Sequence, residues 1–378
     1  MNLFSLLSII PNGLLSASSK MFGILIGILG IGFLIGFHEL GHFVFAKLFN
    51  IRTPSFSIGF GPSLISKKIG ETNFSLSVIP LGGYVELAHE DEDNNKKDTK
   101  STSHTFTSRP YWQKLLVMLG GITFNLLFAY VAFILLFALG IPKSKYMLPL
   151  NSTSTIERVM DKSAASQAGL VKGDTILAVD AAPVENNVEA LLKILRSNPD
   201  QTLTLSIKRA GQTMDIPVTL KSMDHLGKKI GILGIEFGSR SLPGVSFGQA
   251  IKKGIKTTND CIKRTIGNYA HLFSSRSLSG AQGPLAIISE TAKEGSQGFK
   301  QLLIFLAIIS INLAILNLIP LPILDGGQIL FYSIEALIGR SIPTNIKEYI
   351  QIGCWFLILG IILYASYNDI LRILGFGK

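Results

Sequence analysis

The sequence predicts a polytopic α-helical membrane protein with four transmembrane helices, a membrane-associated β-hairpin and one inserted α+β domain. Charged residues make up 16% of the 378 residues, whereas a soluble domain carries about 25%. The mean hydropathy is +0.41. The apolar residues cluster in long uncharged runs rather than in amphipathic periods. These observations exclude an ordinary soluble enzyme.

The net charge of +10 at pH 7 raises nucleic-acid binding as an alternative. Most of the excess lies in residues 143–300, between predicted spans, where basic side chains can meet anionic lipid. We therefore expect the lipid bilayer, and no nucleic acid, to be the partner of these charges. Cys261 and Cys354 lie in unlike surroundings, so neither a structural disulfide nor a cysteine zinc site is expected.

Residues 1–49 are predicted to contain a short leader and the first span, Met21–Ala46, which is uncharged apart from Glu39. Residues 50–87 alternate between apolar and polar side chains around glycine-rich turns, which predicts short β-strands.

Residues 88–114 begin with a stretch that is charged and nearly free of apolar side chains, which predicts a flexible polar loop. Its two histidines, His89 and His104, are expected to be solvated rather than to bind metal.

Three further apolar segments are long enough to span a bilayer: 115–141, 302–327 and 349–367. The segment 302–327 is uncharged from Leu302 to Leu324. Between the second and third spans, residues 150–240 alternate between strand and helix patterns, which predicts one small α+β domain.

Residues 246–275 place apolar side chains at helical spacing among five basic residues, which favours an amphipathic helix lying on the membrane. A helix packed on the soluble domain is the alternative.

The first span contains His38-Glu39-Leu40-Gly41-His42. On a helix the two histidines lie one turn apart on the same face, so both imidazoles can bind one zinc ion, and Glu39 can accept a proton from water. Ionisable groups at membrane depth are costly, and three within five residues indicate metal coordination rather than a polar patch between helices.

A catalytic zinc site normally has three protein ligands, so one more is needed. Glu71 and Glu86 follow the first span, and Asp325 ends the third. Because one span separates them, the first and third spans run in the same direction, and both motifs lie toward their C-terminal ends. This geometry favours Asp325, and helix capping is its alternative role.

The chain resembles the site-2 protease family of intramembrane zinc metalloproteases, in the bacterial branch that cleaves membrane-bound anti-sigma factors. His38-Glu-Leu-Gly-His42 resembles the family's HExxH motif, and Leu324-Asp325-Gly326 resembles its LDG motif, with Asn317, Pro320 and Pro322 matching the residues that precede it. The second span has Gly121-Ile-Thr-Phe-Asn125, with Ile122 where the family has proline.

The resemblance implies further features. Residues 57–62 and 79–85 are similar to a β-hairpin that dips into the membrane and pairs with an unwinding substrate, which makes Phe60 and Gly61 candidate substrate contacts. Module 150–240 is similar to a single PDZ domain, which would gate substrates by size or bind a peptide C-terminus. The resemblance also implies that Asn312 or Asn317 holds the substrate, and interhelical hydrogen bonding is the alternative for both.

The expected reaction is zinc-assisted hydrolysis of a peptide bond in the transmembrane segment of single-span membrane proteins. His38, His42 and Asp325 would hold Zn²⁺, and Glu39 would act as the general base. An edge strand at 56–60 or 75–79 would pair with the unwound substrate. Two alternatives are a membrane zincin with a glutamate ligand that cuts interfacial segments, and a non-catalytic membrane PDZ scaffold.

The orientation in the membrane does not follow from charge, because lysine and arginine are evenly divided between the two sides. The resemblance implies a bacterial cytoplasmic (inner) membrane, with the PDZ-like module on the periplasmic or outer side and the zinc site toward the cytoplasm.

Overall fold

The computed structural model describes residues 12–88, 104–147, 149–225, 228–275 and 283–373. The predicted leader before residue 12 and most of the polar loop, with His89, lie outside the described residues. The chain divides into two compact units: 1–134 with 253–266 and 278–378, and 135–252 with 267–277.

The helices of the described chain are α1 (Asn12–Leu48), α2 (Tyr111–Leu139), α3 (Ala164–Gln167), α4 (Val188–Ser197), α5 (Phe247–Ser275), α6 (Pro284–Ser296), α7 (Phe299–Asn317), α8 (Asp325–Ile338) and α9 (Thr344–Ile373). The strands are β1 (Ser55–Ile69), β2 (Thr72–Val85), β3 (Ser152–Val159), β4 (Thr175–Val179), β5 (Ala182–Pro183), β6 (Thr202–Arg209), β7 (Gln212–Thr219), β8 (Lys221–His225), β9 (Lys228–Ile232) and β10 (Ile235–Ser239).

Four of these helices are long and apolar enough to cross a membrane. They correspond to the four predicted spans: α1 from Leu25, α2, α7, and α9 as far as Leu371. The third apolar run continues to Leu324, but α7 ends at Asn317. Pro320 and Pro322 follow, and proline has no N–H to continue the helical ladder. The chain therefore leaves the helix before Asp325, where α8 begins.

The hairpin of β1 and β2 is folded over on itself, so its central segments have partners on both sides. Phe56–Ile58 pair with 74–76 on one side and with 83–85 on the other. Residues 74–76 pair in turn with 65–67. The prediction that 56–60 or 75–79 offers a free edge is therefore wrong, because in this hairpin the edges are 63–69 and 83–85.

Two glycines explain why the hairpin folds over. Gly59 and Gly61 have positive φ angles of 94° and 87°, a conformation that residues with a Cβ rarely adopt. They turn β1 in the middle, so its second half lies beside β2 rather than extending away from it. The outer half presents exposed apolar side chains, among them Leu64, Ile65 and Ile69.

The inserted module contains a sheet in the order β10, β3, β4, β6, β7, with β5 beside β4. Its core is apolar and includes the fully buried Ile176, Leu191 of α4 and Leu205. Asn187 caps the N-terminus of helix α4, and its side chain accepts a hydrogen bond from the Ala190 N–H. Strand β10 is an edge of this sheet. The module is thus α+β, as the sequence predicts.

A buried ion pair ties β6 to the loop before β4. Asp174 is fully buried, and its two carboxylate oxygens accept hydrogen bonds of 2.7 Å from Nε and Nη2 of Arg209. The Val171 N–H donates to the same carboxylate. Burial alone would raise the pKa of Asp174, but the Arg209 and Val171 hydrogen bonds hold this pKa below its usual range.

We predict that Asp174→Asn destabilises the module by about 2 kcal/mol, because charged hydrogen bonds are lost while Arg209 stays only partly solvated. Since the folded-state pKa of Asp174 is lowered, this stabilisation is present above the unfolded pKa near 4 and is lost as the pH falls through the folded value. Hydrogen exchange of β4 and β6 in the full chain measures the effect. Asp215→Asn is the exposed control, and equal protection in the Asp174 variant and the wild type would contradict the prediction.

Candidate metal centre

Helix α1 carries three of the predicted site residues within two turns. His38 and His42 are 8% and 7% exposed, and their ring planes are nearly perpendicular. At 1.5 Å per residue, His38 lies about 15 Å along the helix from its end at Leu48. The site is therefore inside the apolar segment.

Asp325, at the start of α8, completes a triangle of ligand atoms. The Nε2 atoms of His38 and His42 are 3.2 Å apart. The Asp325 carboxylate oxygens lie 3.3 Å from His38 Nε2 and 3.5 Å from His42 Nε2. Zinc bound tetrahedrally at 2.0–2.1 Å requires ligand atoms about 3.3–3.4 Å apart. The distances between the ligand atoms are therefore close to those of a tetrahedral zinc site, and the three residues could hold the ion.

Glycines allow α2 to pack closely against the face of α1 that carries His38 and His42. A Cβ at Gly41 would overlap the Gly120 carbonyl, and one at Gly120 would lie 2.6 Å from the Gly41 carbonyl oxygen. A Cβ at Gly121 would overlap the imidazoles of both histidines. This small-residue crossing lets the two backbones touch. Its importance was not recognised from the sequence, although the Gly120-Gly121 pair in an apolar span is a visible signal.

Helix α2 also supplies the second hydrogen-bond partner of each imidazole. His42 Nδ1 lies 2.8 Å from the Val117 carbonyl oxygen, so Nδ1 carries the proton and Nε2 is free to bind metal. His38 Nδ1 lies 3.1 Å from the side-chain amide of Asn125. Such partners fix the tautomer and orientation of a ligating histidine.

The orientation of the Asn125 amide follows from the metal-binding tautomer. If His38 binds through Nε2, its Nδ1 is protonated and needs an acceptor, which Asn125 Oδ1 can supply. In the structure the Asn125 Nδ2 atom faces His38, and Oδ1 is buried without a partner among the described residues. Turning the amide satisfies His38 and directs the NH₂ group away from it.

A cavity of about 260 Å³ opens beside the ligands. It is lined by Glu39, Asn317 and Phe60 as well as by His38 and Asp325. Asn317 Nδ2 lies 3.2 Å from His38 Nε2. The Val85 N–H donates a hydrogen bond to the Glu39 carboxylate. The cavity therefore combines two of the three candidate ligands, His38 and Asp325, with the Glu39 carboxylate and the Asn317 amide.

Strand β2 passes close to this cavity through Gly82 and Gly83. A Cβ at Gly83 would lie 3.1 Å from Cγ of Glu39, and one at Gly82 would overlap the Phe60 ring. The edge segment 83–85 therefore runs along the site. It is the edge that the sequence did not identify.

The remaining predicted residues lie elsewhere. Asn312 donates to the Ile308 carbonyl of its own helix and does not line the cavity. Gly61 forms the turn next to Phe60 without lining the cavity. Glu71 lines a separate cavity with Lys47 and Arg52 at the end of α1. Among the described residues, the cluster that could hold a metal is His38, His42 and Asp325, and it contains neither Glu71 nor Glu86.

Over most of its length, the chain is similar in sequence to known metalloproteases. The sequence profile of peptidase family M50 matches residues 26–361. A Campylobacter jejuni protein named as a zinc metalloprotease is 33% identical over 92% of this chain and 93% of its own. The regulator of sigma-W protease RasP of Bacillus subtilis is 28% identical over 90% of this chain and 96% of its own.

Among solved structures, the PDZ domain of an SdrC-like protein from Listeria monocytogenes is 18% identical. It covers 23% of this chain and 87% of its own length, with a TM-score of 0.20. This likeness is too low to identify the fold of the inserted module.

We predict that Gly121→Ala abolishes zinc binding, because the added methyl group occupies the space of both imidazoles. Gly353→Ala, at a glycine with open space around it in α9, is the matched control and should keep full zinc content. The measurement is metal analysis of the purified proteins. Stoichiometric zinc in the Gly121 variant would show that the crossing does not position the histidines.

We also predict that Asn125→Leu weakens zinc binding by about 10–100-fold, the usual effect of removing a partner of a ligating histidine. Asn125→Asp keeps an acceptor for His38 Nδ1–H and should retain tighter binding than the leucine variant. Competition with a chelator measures the affinity. Equal affinities for the leucine and aspartate variants would contradict the proposed orientation of the amide.

Proposed function

The chain belongs to peptidase family M50, and from this membership we propose that it hydrolyses a peptide bond within or beside the transmembrane segment of single-span membrane proteins. It is a zinc metalloendopeptidase of the site-2 protease type. The observation that carries the proposed substrate class is the depth of the ligand triangle, since His38 and His42 lie inside an apolar helix.

The residues of the site have distinct roles in this reaction. His38, His42 and Asp325 would hold the zinc ion, which as a Lewis acid lowers the pKa of water and polarises a carbonyl. Glu39 accepts the proton that the attacking water loses and returns it to the leaving amine. The Val85 N–H keeps the Glu39 carboxylate directed into the cavity.

One amide, that of Asn317, is placed to contact the carbonyl of the scissile bond. Asn317 lines the cavity, and we propose that its NH₂ group holds the substrate or stabilises the developing oxyanion. Asn125 also borders the cavity, but its side chain is fully buried, so its proposed role is to hold His38 and not to contact the substrate. Asn312, which lies earlier on α7 and does not line the cavity, is the second candidate for holding substrate.

The substrate backbone has to be exposed before it can be cut, because a transmembrane helix satisfies its own hydrogen bonds. We propose that the unwound segment pairs with the edge 83–85, which lies against Glu39. Gly82 and Gly83 allow the backbone to pack against the Phe60 ring and against Glu39. Phe60 lines the same cavity, and Gly61 sets the turn that positions it.

Anti-sigma factors and signal-peptide remnants are the proposed substrates, and the bacterial inner membrane is the proposed location. The relative RasP is named as a regulator of sigma-W. The module at 150–240 would face the periplasmic or outer side as a PDZ-like domain that binds a peptide C-terminus. Its edge strand β10 supports this role, because an added peptide strand needs an unpaired edge.

The two alternatives have less support. A glutamate-ligand zincin requires Glu71 or Glu86 near the histidines, and Glu71 lines a different cavity. A non-catalytic scaffold gives no reason for Glu39 to line the same cavity as the ligands.

The test is cleavage of a single-span reporter by the full chain in liposomes, with metal analysis. We expect Glu39→Gln to keep its zinc and to lose about 10²–10⁴-fold of the rate, because proton transfer is lost while the ligands stay. Asp325→Asn should lose zinc and activity together. The exposed Asp161→Asn is the control. Wild-type cleavage by Glu39→Gln would overturn the mechanism, and zinc binding by Asp325→Asn would overturn the ligand set.

A further inference from the structure

An aromatic side chain fills a space next to the metal centre where α1, α2 and α8 meet. Phe106 lies in the segment that the sequence predicts to be a polar loop, yet it is only 1% exposed. It belongs to a buried apolar cluster with Ala46 of α1 and Val117 of α2. Ile329 and Tyr332 of α8 pack against the same cluster. The cluster therefore joins the two helices that carry the candidate ligands.

This cluster lies one helical turn beyond the ligands. Ala46 follows His42 by four residues on α1, and Ile329 follows the ligand of α8 by the same interval. Residues four apart on a helix share a face. On α2, the Val117 carbonyl oxygen lies 2.8 Å from His42 Nδ1. The packing of the cluster therefore determines how the ligand-bearing faces of α1 and α8 are aligned.

Asp325 depends on this packing more than the histidines do. His38 and His42 belong to one continuous helix, whereas Asp325 begins α8 after a break in the helical chain. Its distances to the two histidines, 3.3 and 3.5 Å, are therefore set by where α8 packs. Phe106 contacts α8 directly, because its ring and that of Tyr332 are 5.5 Å apart in an edge-to-face arrangement.

Backbone hydrogen bonds hold the segment around Phe106. The Phe106 N–H donates to the Ala88 carbonyl at 2.8 Å, and the Phe106 carbonyl accepts from the Arg109 N–H at 3.2 Å. Two residues earlier, the His104 carbonyl accepts from the Arg52 N–H at 2.9 Å. The segment is thus tied to the chain that follows α1 and to the chain that follows β2, and the ring is a fixed support.

We propose that Phe106 is a positioning residue of the metal centre, which holds α8 against α1 and α2 and so keeps the Asp325 carboxylate within reach of both histidines. Removal of the ring would leave a buried void beside Tyr332, and surrounding structure relaxes into such a void only in part. Helix α8 would then shift, and Asp325 would bind a metal ion less well. The proposal rests on the proposed function only through the shared ligand set.

The test compares two buried phenylalanines. Phe133 of α2 is fully buried as well, but it lies outside the cluster. In the full-length protein in detergent, Phe106→Ala and Phe133→Ala should both lower the unfolding temperature. Competition with a chelator measures the zinc affinity. This affinity should fall about tenfold in Phe106→Ala, the lower end of the effect of losing a residue that supports a ligand, and should keep its wild-type value in Phe133→Ala.

Cobalt in place of zinc reports the ligands themselves, because its visible absorption depends on the donor atoms and their geometry. At saturating cobalt, we expect the spectrum of Phe106→Ala to move toward that of Asp325→Asn, and that of Phe133→Ala to match the wild type. Phe106→Leu and Phe133→Leu repeat both comparisons with smaller truncations, and they decide the question where an alanine variant does not fold.

The outcomes separate this proposal from the proposed function. A wild-type protein that binds no zinc would refute the ligand set, and both proposals with it. If the wild type binds zinc, an equal affinity in the Phe106 variants, or an equal loss in the Phe133 variants, would show that Phe106 does not position Asp325. A wild-type cobalt spectrum in the Phe106 variants would lead to the same conclusion.

Discussion

The close crossing of α1 and α2 is the constraint on which the metal centre depends. Where Gly41 meets Gly120, no side chain separates the two backbones, and the helices approach to a distance that larger residues forbid. This contact brings the Val117 carbonyl within 2.8 Å of His42 Nδ1 and Asn125 within 3.1 Å of His38 Nδ1. A ligating imidazole needs such a partner to hold its tautomer. Packing of small residues and metal chemistry are therefore parts of one arrangement.

The break between α7 and α8 determines where the Asp325 carboxylate lies. A carboxylate at membrane depth is costly unless a partner or a cavity receives it. Here α7 ends at Asn317, and Asp325 begins a new helix after an irregular segment that lines a cavity. Irregular backbone at membrane depth is tolerated where protein or a cavity covers it. Two prolines therefore convert an apolar span into a support for a metal ligand.

The sequence predicts the chemistry of the site better than its surroundings, and the reason is physical. The spacing of His38 and His42 is a local property of one helix, and so was recognisable before any tertiary structure was known. Asp325 was recognisable because the first and third spans must run in the same direction, and both motifs lie toward the C-terminal ends of their spans. The pairing of Phe56–Ile58 with strand segments on both sides could not be recognised from the sequence. Alternation along a strand indicates which face is apolar, but it does not indicate how many neighbouring strands there are.

Under the proposed function, the edge 83–85 pairs with the substrate after it unwinds. A substrate helix loses its internal hydrogen bonds when it unwinds, and in an apolar surrounding each unpaired group costs several kcal/mol. An edge strand can accept and donate the same bonds, but only if its side chains leave room for another backbone. Gly83, which has no side chain, lies in this edge, and its backbone packs against Glu39. Under the proposed function, the strand that offsets the cost of unwinding is the one that borders the general base, so the segment that pairs with it lies beside the ligands where it can be cut.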